Sequence, residues 1–170
     1  LKDMAMAGLR KAADIVRTLA KGATIGLGIA GGGLGVALKK GMSLQEYSAS
    51  IEHFVHATNR TWSEKQVLTA AQDYKNWLMD FQGKTTASMM DVFAGGAHAL
   101  KSSGGDIRAA QGLVSVAQDM VAATPGKDLY DAVEAIADAA RGQYVRLIDF
   151  GFKIGAEEMK LAGGDPLLAR

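Results

Sequence analysis

ATIGLGIAGGGLGVAL, residues 23–38, carries no charge and is framed by Lys21 on one side and by Lys39 and Lys40 on the other. Its reading decides the fold, because the same residues satisfy two patterns that belong to different fold classes. Gly26, Gly28 and Gly31 fit G-x-G-x-x-G, in which glycines allow a tight turn and bring backbone close to a pyrophosphate at a helix N-terminus. That fingerprint needs an apolar strand leading in, a helix leading out, and a second strand ending in an acid about 20 residues on. Glu46 stands near the required place, but SLQEYSAS around it is polar and lacks β-branched alternation. Only Ala23, Thr24 and Ile25 are left to form a lead-in strand, and no strand–helix alternation follows. The dinucleotide-binding α/β fold is therefore set aside.

In the competing pattern glycine serves close backbone contact. Gly22/Gly26, Gly28/Gly32 and Gly31/Gly35 each repeat at the G-x-x-x-G spacing of packed membrane helices. With Ile25, Leu27, Ile29, Val36 and Leu38 between them, they form the candidate membrane-contact or helix-packing segment of the chain. A spanning helix wants about 20 apolar residues, and consecutive Gly31, Gly32 and Gly33 each weaken a helix in water by nearly ~1 kcal/mol relative to alanine. The run is thus a marginal, adaptable apolar segment, and a buried apolar hairpin or linker fits it as well as membrane contact does.

Working outward, residues 2–21 place Met4 or Met6, Leu9, Ala12, Ile15 or Val16 and Leu19 at helical spacing, with Lys2, Arg10, Lys11, Arg17 and Lys21 largely on other faces. This predicts an amphipathic helix that packs on a partner helix or lies on a membrane surface. By count, residues 1–41 carry a charge of +5 and the remainder −4, although the whole chain is formally +1. Basic charge beside an apolar run suits anionic lipid head groups or plain solvation. Basic residues interleaved with aromatics are missing, so no sequence-specific nucleic-acid binding is expected.

The 170 residues, 48% hydrophobic and 22% charged, are enough for one globular core. Twenty-one glycines against two prolines predict helices ended by glycine caps and hinges. The absence of cysteine removes disulfides and thiolate metal sites and leaves the compartment open. The chain begins without Met and lacks the order of a signal peptide, so it is expected to be a piece of a longer protein.

Beyond Gly41, Ser43-Leu-Gln-Glu46 has the form of a capping box, and a helix should run from it to Thr58 or Asn59 with Tyr47, Ile51, Phe54 and Val55 on one face. Thr61-Trp-Ser-Glu64 repeats the device ahead of a helix presenting Val67, Leu68, Ala71, Tyr74, Leu78 and Phe81, and Gly83 suits its C-terminal cap. Residues 86–100 carry Met89, Met90, Phe93, Ala97 and Leu100 at helical spacing, interrupted by Gly95 and Gly96, with the methionines as core filler. After the loop Ser102–Asp106, Asp106 caps a helix built on Ile107, Ala110, Leu113, Val114, Ala117, Met120 and Val121, which ends at Thr124-Pro-Gly126. Asp128 caps the next, with Leu129, Val133, Ile136, Ala137 and Ala140 inward. Asp128, Asp131, Glu134 and Asp138 line its other side as a solvated acidic face. Tyr144, Leu147, Ile148 and Phe150 make a short last helix closed by Gly151. Phe152-Lys-Ile154 suits an extended piece and Gly163–Pro166 a linker.

No constellation for chemistry emerges, and neither catalytic residues nor a cofactor are expected. His53 and His56 lie one helical turn apart beside Glu52, but His98 is the only other histidine, so a metal site is not expected. Gly83-Lys84-Thr85 fails as a P-loop because Leu78 stands where the first glycine is required.

The run DLYDAVEAIADAARGQYVRLIDFGFKIGAEE, residues 128–158, resembles a recurring segment of tail tape measure proteins of tailed bacteriophages. That segment is an acidic, alanine-rich helix, then Ala-Arg-Gly, a short apolar helix, and Phe-Gly or Leu-Gly before a polar stretch. The order of earlier elements is similar too, with a lysine-flanked glycine-rich apolar segment (Lys21 to Lys40) and a helix ending in Ala123-Thr124-Pro125-Gly126. The resemblance implies a long, mostly helical virion component of the tail tube lumen, made in the host cytoplasm, which sets tail length and leaves at infection. It implies the tail tube and tail tip proteins as partners, and the self-packing Gly-x-x-x-Gly run allows contact between several copies of the chain. The apolar run would then meet the host membrane on release, and a membrane-active helical protein outside phage tails is the alternative. The expected fold is all-α: residues 1–42 an amphipathic helix and glycine-rich apolar segment, residues 43–155 a multi-helix array with glycine-rich loops, and residues 156–170 a linker or the start of a next segment.

Overall fold

The computed structural model describes residues 38–141 and 143–152. Among them the chain is all helical, with no strand: α1 (Leu44–Thr58), α2 (Glu64–Gln82), α3 (Met89–Ser102), α4 (Ile107–Ala123), α5 (Leu129–Ala140) and α6 (Val145–Asp149). The all-α expectation holds for this part of the chain.

Five of the six helices start on a side-chain cap. The Glu46 N–H donates to Ser43 Oγ at 3.3 Å while Glu46 Oε2 accepts from the Ser43 N–H at 2.6 Å, so the predicted capping box forms. These hydrogen bonds, backbone first, hold the Glu46 carboxyl below the usual carboxylate range. Helix α2 starts two residues later than the Thr61 reading places it. Ser63 is its N-cap and Gln66 the reciprocal partner, an equally good Ser-x-x-Gln box in the next register. Ser88, Asp106 and Asp128 accept from the N–H groups of Asp91, Ala109 and Asp131 at 3.1, 3.0 and 2.9 Å.

Helix α3 is the hub, packed against α1, α2, α4 and α5, while α6 rests on α5. Val92, Phe93, Ala94, Gly95, Gly96, Ala97, Ala99 and Leu100 of α3 are all buried, so it lacks a broad solvated face. Gly95 and Gly96 do not interrupt it. A Cβ at Gly95 would lie 2.6 Å from Leu129 Cγ, and one at Gly96 would lie 2.5 Å from Leu78 Cδ2. The pair therefore lets α5 and α2 approach opposite parts of one helix more closely than any side chain permits. Tyr74, fully buried on α2, donates its hydroxyl to the Gly96 carbonyl at 2.9 Å across that approach. Burial pushes the Tyr74 phenol well above its ordinary range, so it stays a donor.

The turn after α3 closes with the Gly104 N–H on the Lys101 carbonyl and the Gly105 N–H on the Leu100 carbonyl, a Schellman motif that sets Gly104 at φ +64°. Tyr47, Ile51, Phe54 and Val55 of α1, Leu113, Val114 and Ala117 of α4, and Leu129, Val133 and Ile136 of α5 complete the core, as their spacing predicts. Some apolar positions fall outside it. Leu68, Met79, Met90, Val145 and Ile148 are exposed, so Met90 is not core filler and Leu68 and Ile148 leave their expected faces. Helical period fixes a stripe but not its width, and partner helices here cover a narrower one. Tyr74, Trp77 and Phe81 stack along α2, with ring centroids 5.9 and 5.1 Å apart.

Candidate functional site

Of the proposed membrane-contact or packing segment, Gly22, Ile25, Gly26, Leu27, Gly28, Ile29, Gly31, Gly32, Gly35 and Val36 lie outside the described residues. Leu38, its last residue, is described and buried in the core. The functional geometry that the structure offers is therefore the junction, Leu38–Gly41, by which the apolar run joins the helical body.

Four contacts strap that junction down. The Tyr130 hydroxyl of α5 donates to the Leu38 carbonyl at 3.4 Å and the Tyr47 hydroxyl of α1 to the Lys39 carbonyl at 2.9 Å. Lys40 Nζ sits between two carboxylates, 2.5 Å from Asp128 Oδ2 and 2.9 Å from Asp131 Oδ2. Those hydrogen bonds, Asp128 first, hold the Lys40 ammonium far above the ordinary lysine range. Lys40 is more than half exposed, so this ion pair fixes direction more than it adds stability. Lys40, one of the three lysines that frame the apolar run, thus has a structural address at the start of α5.

The acidic row of α5 is not a solvated face. Its first half grips Lys40, and its second half grips α6: Arg146 reaches Glu134 Oε2 at 2.5 Å and Asp138 Oδ2 at 2.8 Å, while Arg141 also bonds Asp138. Asp138 is 8% exposed and is the one charged residue that is buried among the described residues. Helix α5 is thus a spine to which both the N-terminal junction and α6 are tied by charge. Asp138→Ala is expected to lower the unfolding free energy by about 1–2 kcal/mol, because two half-exposed arginines lose a buried acceptor. Asp131→Ala, at a more open pair, should cost less than ~1 kcal/mol. Urea denaturation of the two variants orders them.

Behind the row lies His98 on α3. Its ring is centred 4.6 Å from that of Tyr130, and both imidazole nitrogens are buried without a hydrogen-bond partner among the described residues. Burial first, then the positive charges of Lys101, Arg141 and Arg146, push its pKa down to about 4 against the opposing pull of Asp138. His98 is therefore neutral at pH 7. Burial, then Glu134, raises the neighbouring Tyr130 phenol, which remains protonated. His53 and His56, the pair at metal-ligand spacing, are exposed, and among the described residues no three His, Asp or Glu side chains gather as metal ligands.

Sequence reasoning found neither Lys40, Tyr47 and Tyr130 as a strap nor His98 as a buried base. The Lys40 pairs join residues about ninety positions apart, which no local pattern encodes. A hint existed in the periodicity: His98 falls among Ala94, Ala97 and Leu100 in the otherwise apolar stretch from Val92 to Leu100. Two shallow hollows of about 340 and 380 Å³ lie along α2, lined by residues such as Trp62, Thr69 and Asp73, and neither gathers a set of groups for chemistry. No helix among the described residues is long and apolar enough to cross a membrane. No family model, curated protein or solved structure matches the chain.

Proposed function

We propose that the chain is part of a phage tail tape measure protein, a structural component that helps set tail length in the tube lumen and is released during DNA delivery. The observation that carries this reading is the resemblance of residues 128–158 to the family's recurring segment, in the company of a lysine-flanked glycine-rich run. The all-helical body supports it, because a helix converts chain length into distance at about 1.5 Å per residue. As a ruler the body acts drawn out. Unpacking it costs a folding free energy on the order of 10 kcal/mol, and contact between coaxial copies and the tube wall offsets that cost by covering the same apolar faces. Other copies of itself and the tail tube and tip proteins are the partners.

The reading predicts that the parent polypeptide co-purifies with intact tails and is lost from particles that have ejected their DNA. Quantitative mass spectrometry before and after ejection measures both, and intact tails without the polypeptide contradict the proposal.

The charge-free run between Lys21 and Lys39 favours one second reading, a membrane-active helical protein outside phage tails. The two part on dye leakage from lipid vesicles. Permeabilisation by the chain without any tail protein moves the conclusion to the second reading, and binding without leakage keeps the first.

A further inference from the structure

We infer that His98 is the trigger of an acid-released latch on the junction that ties the apolar run to the helical body. The inference does not rest on the tail reading. It starts from the two buried ring nitrogens of His98, which have no partner among the described residues. A neutral imidazole offers one donor and one acceptor, and leaving both unmet in a buried site is a standing cost that the surrounding packing sustains.

The ring faces Tyr130, and the Tyr130 hydroxyl reaches the first described residue of the junction, the Leu38 carbonyl. One side chain thus separates the histidine from one of the four contacts that hold the junction. The charges around it decide what a proton would do. Lys101 lies on the same helix, Arg141 follows α5 and Arg146 belongs to α6, so three cations face the ring. Against them stands Asp138, already engaged by Arg141 and Arg146. Glu134, close to Tyr130, is engaged by Arg146, Asp131 by Lys40, and Tyr47 of α1 donates its hydroxyl to the Lys39 carbonyl. An imidazolium at this place finds no unengaged carboxylate and needs water. Water reaches it when the Tyr130 ring swings off its face, and that movement takes the hydroxyl away from Leu38.

The direction with pH follows from linkage. Latched, His98 takes up its proton only near pH 4, whereas a solvated histidine does so near 6.5. The released form binds more protons in between, so the ratio of released to latched chain grows as pH falls through that window, by about tenfold per unit at most. From pH 7 to pH 5 the expected change is about twentyfold, above the range in which ordinary carboxylates titrate.

The full chain contains no cysteine, and the Lys39 side chain is exposed, so Lys39→Cys carries a spin label at the junction. Electron paramagnetic resonance then reads the mobile fraction from pH 7.5 to 5, with circular dichroism confirming that the helices persist. Between pH 7 and 5 the ratio of mobile to immobile label should rise about twentyfold in the labelled parent and stay within twofold in the same chain carrying His98→Phe, which keeps a ring against Tyr130 but takes no proton. An equal rise in the His98→Phe chain, or no rise in the parent, overturns the latch. A second measurement needs no substitution at His98: the imidazole resonances followed by NMR in the labelled parent. Protonation that tracks the mobile fraction supports the latch, and protonation with the label still immobile overturns it.

Discussion

Gly95→Val is expected to lower the unfolding free energy by about 3 kcal/mol, although valine is a better helix former than glycine. The reason is contact, not propensity. The first carbon of any side chain at Gly95 would lie 2.6 Å from Leu129 Cγ and 3.1 Å from Leu129 Cβ. Those atoms sit close to the α5 backbone, and Leu129 is buried at 1% exposure, so neither a rotamer change nor a move into solvent relieves the clash. Helix α5 must then shift from α3, and with it the acidic row that holds Lys40 and Arg146. A double-mutant cycle isolates the contact. Leu129→Ala alone should cost about 2–5 kcal/mol by leaving a cavity, whereas adding Gly95→Ala to it should cost little or recover part of the loss. Strict additivity of the two in urea denaturation would show that α3 and α5 do not meet at this glycine.

The second large effect lies at the other glycine contact. Tyr74→Ala should destabilise the fold by about 4 kcal/mol, since the ring is fully buried where α2 meets α3. Tyr74→Phe keeps the ring and removes the hydroxyl that donates to the Gly96 carbonyl, for about 1 kcal/mol. The ratio of the two distinguishes packing from hydrogen bonding, and thermal unfolding followed by circular dichroism reads both. A Tyr74→Phe loss as large as that of Tyr74→Ala would mean that the hydroxyl, not the ring, holds the two helices together.

These predictions concern features that a local reading of the chain misjudges. Caps are local, and Ser43, Asp106 and Asp128 were legible from three or four residues each. At the start of α2 the sequence offers two overlapping boxes, and which one forms depends on the register that buries Val67, Ala71, Tyr74 and Leu78. Gly95 and Gly96 read as a break because glycine disfavours an isolated helix, and the intimate approach of Leu129 and Leu78 outweighs that preference. The row Asp128, Asp131, Glu134, Asp138 reads as solvated because spacing shows a face but not what arrives on it from Lys40 or Arg146. Of the candidate segment, the structure describes Leu38 and its anchorage, and the glycine-rich run before it lies outside the described residues.

The anchorage bears on the proposed function through geometry. A junction tied to α5 and α1 fixes Leu38, the last residue of the apolar run, at one point on the body, so drawing out the helices releases that point. The most direct measurement is tail length. An in-frame deletion of residues 43–124 in the parent gene, with tails measured by electron microscopy, should shorten them by about 120 Å if this part of the chain serves as extended helix. Tails of unchanged length would contradict the ruler role of this segment.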